Sequence, residues 1–66
     1  MRPEIARTTR HVRFHTGPDL QHPEGSFGPG VIVEVVERQG PGSAILVHEQ
    51  DGDRHGWLPE RSVEPQ

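Results

Sequence analysis

Five histidines and a run of carboxylates are the residues of this chain whose types could do chemistry. His48 and His55 flank an Asp-Gly pair, with Glu49, Asp51 and Asp53 between them. Imidazole and carboxylate together are a donor set for a zinc-type ion, and across a hairpin the two histidines would face each other. His11 and His15 are four residues apart; along a strand that is about 13 Å at roughly 3.3 Å per residue, too far for one ion to bridge. His22 falls in a loop. The expectation is that these histidines are exposed strand or loop residues, with a pH-sensitive surface as a middle reading, and that no metal or other cofactor is bound. Glu49, Asp51, Asp53 and Glu60 invite an acid–base reading, but such a pair needs one carboxyl held in drier surroundings than the other, and a hairpin tip is wet. Asp-Gly-Asp occurs in calcium loops, yet the rest of the EF-hand pattern is missing. There is no cysteine, so thiolate nucleophiles, thiolate metal sites and disulfides are excluded. Ser26, Ser43, Ser62 and the threonines stand in no nucleophile elbow. The glycines of SFGPGV match neither phosphate-loop spacing. No catalytic residue is assigned, and the chain is expected to be no enzyme.

The elements that must position these residues are short. Residues 10–16 (RHVRFHT) alternate, with Val12 and Phe14 on one side and His11, Arg13 and His15 on the other, which predicts a first strand. Residues 1–9 contain Pro3 and no clean period, and are expected to form a flexible basic arm. Gly17-Pro18-Asp19 ends the first strand. Residues 20–30 hold Pro23, Gly25, Gly28, Pro29 and Gly30 and read as a long irregular loop, the kind that often carries function. Residues 31–38 give the strongest strand, and Gly40-Pro41-Gly42 a turn. Residues 44–49 (AILVHE) and 54–58 (RHGWL) are paired strands, and the Asp-Gly between them predicts a type I′ turn with positive φ. Pro59 has no N–H for a ladder; residues 59–62 suit one 3₁₀ turn, and Val63 starts a short closing strand.

Sixty-six residues allow one domain, burying only about 60% of the unfolded surface. Without disulfides, its stability must come from a well-made small barrel, a histidine metal site or a homo-oligomer. No apolar run approaches the roughly 20 residues that span a membrane, and the N-terminal arginines precede no apolar stretch, so no signal peptide is read. A cytoplasmic location is the default. The net charge of −3 argues against general nucleic-acid binding, but charge is unevenly spread. Residues 1–16 hold Arg2, Arg7, Arg10 and Arg13 against Glu4; the remainder holds three arginines against nine carboxylates. Every strong base is arginine. A GC-rich genome explains that blandly; selection for bidentate anion contacts, which lysine does not make, is the functional alternative.

Five short strands, a long loop after the first, tight turns in the middle and a 3₁₀ turn before the last resemble an SH3-like barrel. The segment Gly56-Trp57-Leu58-Pro59-Glu60-Arg61-Ser62-Val63-Glu64 is similar to the SH3 ending, where a glycine, an aromatic and a proline precede a short helix and a closing Val-Glu. Val12-Arg13-Phe14 with Gly17-Pro18, and Gly30-Val31-Ile32-Val33-Glu34-Val35, resemble the opening of KOW and Tudor-like relatives. A looser resemblance is to small actinobacterial barrel proteins of unknown function. The resemblance covers residues 10–64 and implies an all-β, single five-stranded SH3-like barrel over 10–66, preceded by the arm. It is weak for function, because such barrels serve many roles. There is no Tyr, so the aromatic groove that receives proline-rich peptides is not expected, and three aromatics are too few for a methyl-lysine cage.

The expected function is a small protein-binding adaptor or accessory module whose contact surface is Phe27, Trp57, Arg54 and Arg61, since Trp and Arg anchor interfaces. Trp57 and Phe27 each have an alternative place in or over the core. One alternative function is a KOW-like nucleic-acid module using Arg2, Arg7, Arg10 and Arg13 on phosphates. Another is a subunit of an oligomeric enzyme with a site between barrels.

Overall fold

The computed structural model of the protein describes residues 2–39 and 44–66. The turn expected at Gly40-Pro41-Gly42 lies outside the described residues. Seven strands and one 3₁₀ turn follow in order: β1 (Glu4–Thr8), β2 (Val12–His15), β3 (Pro23–Phe27), β4 (Ile32–Gln39), β5 (Ala44–Glu49), β6 (His55–Pro59), η1 (Glu60–Ser62) and β7 (Val63–Pro65). They form one curled antiparallel sheet in the order β3-β2-β6-β5-β4-β1-β7. The chain is all-β, as expected, but it has seven strands rather than five and is a half-barrel rather than a closed one. Closure would need β3 and β7 to share a ladder. Both are short and carry a proline, Pro23 or Pro65, which has no N–H to give.

The two extra strands come from the arm and the loop. Residues 4–8 are no arm: Ala6 and Thr8 point inward with 3% and 1% of their surface exposed, and Arg7 between them is exposed. β1 pairs β4 (Ala6↔Val33) on one side and β7 (Arg7↔Glu64) on the other. Residues 23–27 pair with β2 from Val12↔Phe27 to His15↔Pro23. A glycine in a strand marks a close approach, and here a Cβ on Gly25 would stand 2.6 Å from the Phe14 ring. A Cβ on Gly56 of β6 would stand 2.7 Å from the same ring. Phe14 thus lies between two strand glycines and packs on Phe27 with ring centroids 4.8 Å apart. Phe27, Val33, Val47, Ile45 and Leu58 are the sealed centre of the core.

The β5–β6 connection differs from the type I′ expectation. Among the described residues only Leu20 and Gly30 have positive φ; the loop is longer, closed where the Glu49 N–H donates to the Arg54 carbonyl at 2.8 Å. The 3₁₀ turn is where it was expected. Among the described residues no helix is long and apolar enough to cross a membrane.

Candidate anion-binding cleft

β2 is held along one edge by β3, but on its other edge it meets β6 at a single pair, His15↔Trp57. Continuing that register would set Pro59 opposite Arg13. Proline cannot donate there, and the chain instead turns into η1. The two strands therefore part towards Arg10, and the gap is a cleft of about 300 Å³ lined by Arg10, His11, Val12, Arg13 and His15 on one wall and Pro59, Arg61 and Ser62 on the other.

Local bonds hold the walls in place. The Thr9 N–H (2.9 Å) and hydroxyl (3.2 Å) both donate to the Ser62 carbonyl, so Arg10 and Arg61, each one residue away, are brought to the same rim. Ser62 is itself buried and donates its hydroxyl to the Pro59 carbonyl at 2.6 Å. His15 is half-buried, with Nδ1 3.1 Å from the Trp57 carbonyl. A carbonyl only accepts, so Nδ1 carries the proton and Nε2 is the ring nitrogen left for a ligand.

The cleft's charge is uncompensated. Arg7 pairs with Glu64 at 2.6 Å, Arg38 with both Glu4 and Glu60, and Arg54 with Glu49 at 2.9 Å. Arg10, Arg13 and Arg61 have no carboxylate partner among the described residues, and no carboxylate lines the cleft. Glu60, next to Arg61 in the chain, is turned to Arg38. The hydrogen bond from Arg54 holds the Glu49 carboxyl below its ordinary range, and the bond to Glu4 raises the Arg38 guanidinium; the cleft arginines have no such partners.

The residues expected at a protein contact are placed otherwise. Phe27 has 0% of its surface exposed and belongs to the core. Trp57 is 8% exposed; it stands on the face opposite Leu58, with His15 and Leu46 as cross-strand neighbours. Arg54 is occupied: it grips Glu49, donates to the Ser26 carbonyl at 2.8 Å and lies 4.9 Å over the Phe27 ring. Arg61 alone of the four faces open space, in the cleft. Of the four arginines proposed for phosphates, Arg10 and Arg13 reach the cleft, Arg7 is paired and Arg2 is exposed apart from it. Arg61, from the first set, and His11 and His15, from neither, complete the group. Arg13 and His15 share a strand face by simple alternation, which the sequence carries; their meeting with Arg61 depends on the Thr9–Ser62 bonds.

His48 and His55 do face each other across β5 and β6, stacked at 5.9 Å with an interplanar angle of 7°. Among the described residues no group of three or more His, Cys, Asp or Glu is arranged to hold a metal. No family model matches the chain, and no curated protein or solved structure is significantly similar to it.

Proposed function

We propose that this chain is a small cytoplasmic binding module on an SH3-like barrel, and that its cleft receives the phosphates of a single-stranded nucleic acid. One observation carries this: among the described residues all three arginines lining the cleft lack a carboxylate partner, whereas the other arginines, Arg2 apart, are neutralised. What the cleft offers is positive charge and hydrogen-bond donors, the equipment of recognition. Guanidinium forks suit phosphate oxygens, and both arginine planes and imidazoles can stack on unpaired bases. The cleft is too small for a duplex to enter.

Phosphate contacts give a slope of log affinity against log salt of about −0.7 per contact for single strands. Three arginines therefore predict a slope of about −2. Arg61→Ala should weaken binding about tenfold, the scale of one charged hydrogen bond, and should reduce the slope. Fluorescence anisotropy with a labelled oligonucleotide reads both. A slope near zero, or an Arg61→Ala protein that binds as well as the parent, counts against the proposal.

A second reading keeps the adaptor role: an acidic segment of another protein in the same cleft. The burial of Phe27 and Trp57, which removes the large aromatic platforms that single-strand binders use, favours it. A poly-glutamate peptide that competes while the oligonucleotide does not would decide for it.

A further inference from the structure

We propose that His15 is a proton-gated contact of the cleft: its imidazolium, anchored through Nδ1 on the Trp57 carbonyl, donates from Nε2 to a phosphodiester oxygen. This rests on the cleft being the anion site proposed above, and adds to it which residue sets the strength of binding and when. His15 differs from the arginines around it in two respects. It is half-buried at the one register pair where β2 and β6 still meet, so its backbone is fixed at the closed end of the cleft. Its ring is also fixed, because Nδ1 is committed to Trp57 at 3.1 Å. A ring held on one nitrogen presents the other at low entropic cost, whereas an exposed arginine must be ordered on binding.

The neutral ring with its proton on Nδ1 has only a lone pair on Nε2, and a lone pair repels a phosphate oxygen. The protonated ring has a donor there and a positive charge. The proton comes from solvent, and no bond other than N–H forms or breaks. Binding and protonation are then reciprocal: the anion favours the imidazolium as much as the imidazolium favours the anion.

The groups around His15 are known from each side. On its own strand and the approach to it stand Arg10, His11 and Arg13; on η1 stands Arg61. From β6 it faces the Trp57 carbonyl and Pro59. From β3 it faces Pro23, flanked in the chain by His22 and Glu24. Among the described residues no carboxylate lines the cleft, so none takes the position of the ligand. His11 also lines the cleft, but it is exposed and no bond orders its ring among the described residues. It supplies charge without a fixed donor.

The test is the affinity of the full chain for a short oligo-thymidylate carrying a pH-insensitive dye, at constant salt, between about pH 7.5 and about pH 5.5, which bracket the ordinary imidazole range. Phosphodiesters and thymine keep their charge across that window, so a slope belongs to the protein. We expect affinity to rise about tenfold on acidification, the scale of one charge-assisted hydrogen bond. His15→Asn keeps an amide donor where Nδ1 stood and removes Nε2; it should fold, hold its melting temperature at neutral pH and lose most of the pH slope. His11→Gln should keep most of it. Salt-sensitive binding with no pH slope in the parent overturns the role of His15 and leaves the cleft proposal standing. A slope that survives His15→Asn and disappears in His11→Gln overturns the assignment to His15. Absence of binding at every pH overturns both.

Discussion

Gly25 and Gly56 show, at the scale of single residues, how a strand can be specified by what it leaves out. Each opposes the Phe14 ring so closely that a methyl group would stand 2.6 or 2.7 Å from it, well inside contact distance. Replacing glycine by alanine ordinarily gains about 0.4–1 kcal/mol from the unfolded chain where the backbone permits. Overpacking a core ordinarily costs about 1–3 kcal/mol. At Gly25 and Gly56 the clash wins, and Gly25→Ala should lower stability by about 1–2 kcal/mol in urea titration. Gly28 has ordinary φ and nothing within 4 Å of an added methyl, so Gly28→Ala should be neutral or slightly stabilising. Equal losses at both positions would show that conformation, not contact with Phe14, keeps Gly25. Arg54 belongs at the same scale. Its charge reads as a contact residue in the sequence, but its bonds to Glu49 and Ser26 and its position over Phe27 make it the cover of the largest fully buried side chain.

At the scale of elements, β1 is the piece the rest is built around. It lies between β4 and β7, and its last residue ties three segments together. Thr8, 1% exposed, donates its hydroxyl to the Gly28 carbonyl at 2.7 Å and accepts the Val31 N–H at 2.9 Å. Thr8→Val keeps the shape but strips both partners, leaving a part-buried carbonyl and N–H unpaired at about 1–3 kcal/mol each. A loss of about 2–4 kcal/mol in chemical denaturation is expected; a loss below about 1 kcal/mol would mean water or relaxation replaces both bonds. The central strands β4 and β5 were legible because Val, Ile and Leu alternate or run on there, and β6 because an Asp-Gly precedes it and Pro59 ends it. β1 and β3 were not, for physical reasons. The inward residues of β1 are Ala6 and Thr8, too small and too polar to stand out, and β3 combines Pro23, which suits an edge, with Gly25, whose missing side chain is the space Phe14 fills. The type I′ turn expected at Asp51-Gly52 is not formed: neither residue has positive φ, the loop closes further out between Glu49 and Arg54, and the Glu49 side chain lies over Gly52, a contact that spacing alone does not show.

For the whole molecule, the main feature is a separation of charge within an acidic chain. Most carboxylates stand on β4, around the β5–β6 loop or in ion pairs, while Arg10, Arg13 and Arg61 converge where the sheet opens. Part of that was legible: the excess of arginine over carboxylate in residues 1–16 is a property of the sequence. The convergence was not, since Arg61 is about fifty residues further along and arrives only because Thr9 bonds Ser62. The outer edges of the sheet are less open to partners than the cleft. Proline on both edge strands and the Arg54 bond to the Ser26 carbonyl of β3 are the kind of features that blunt strand addition. A partner is therefore expected at the cleft.

The most direct measurement is a two-dimensional amide NMR titration of the full chain with a short oligo-thymidylate at low salt. The account predicts that shifts concentrate at Arg10, His11, Val12, Arg13, His15, Arg61 and Ser62, and that they reverse when salt is raised. Shifts centred instead on Phe27, Arg54 and the β3 edge, or none at a concentration that saturates anisotropy, would contradict it.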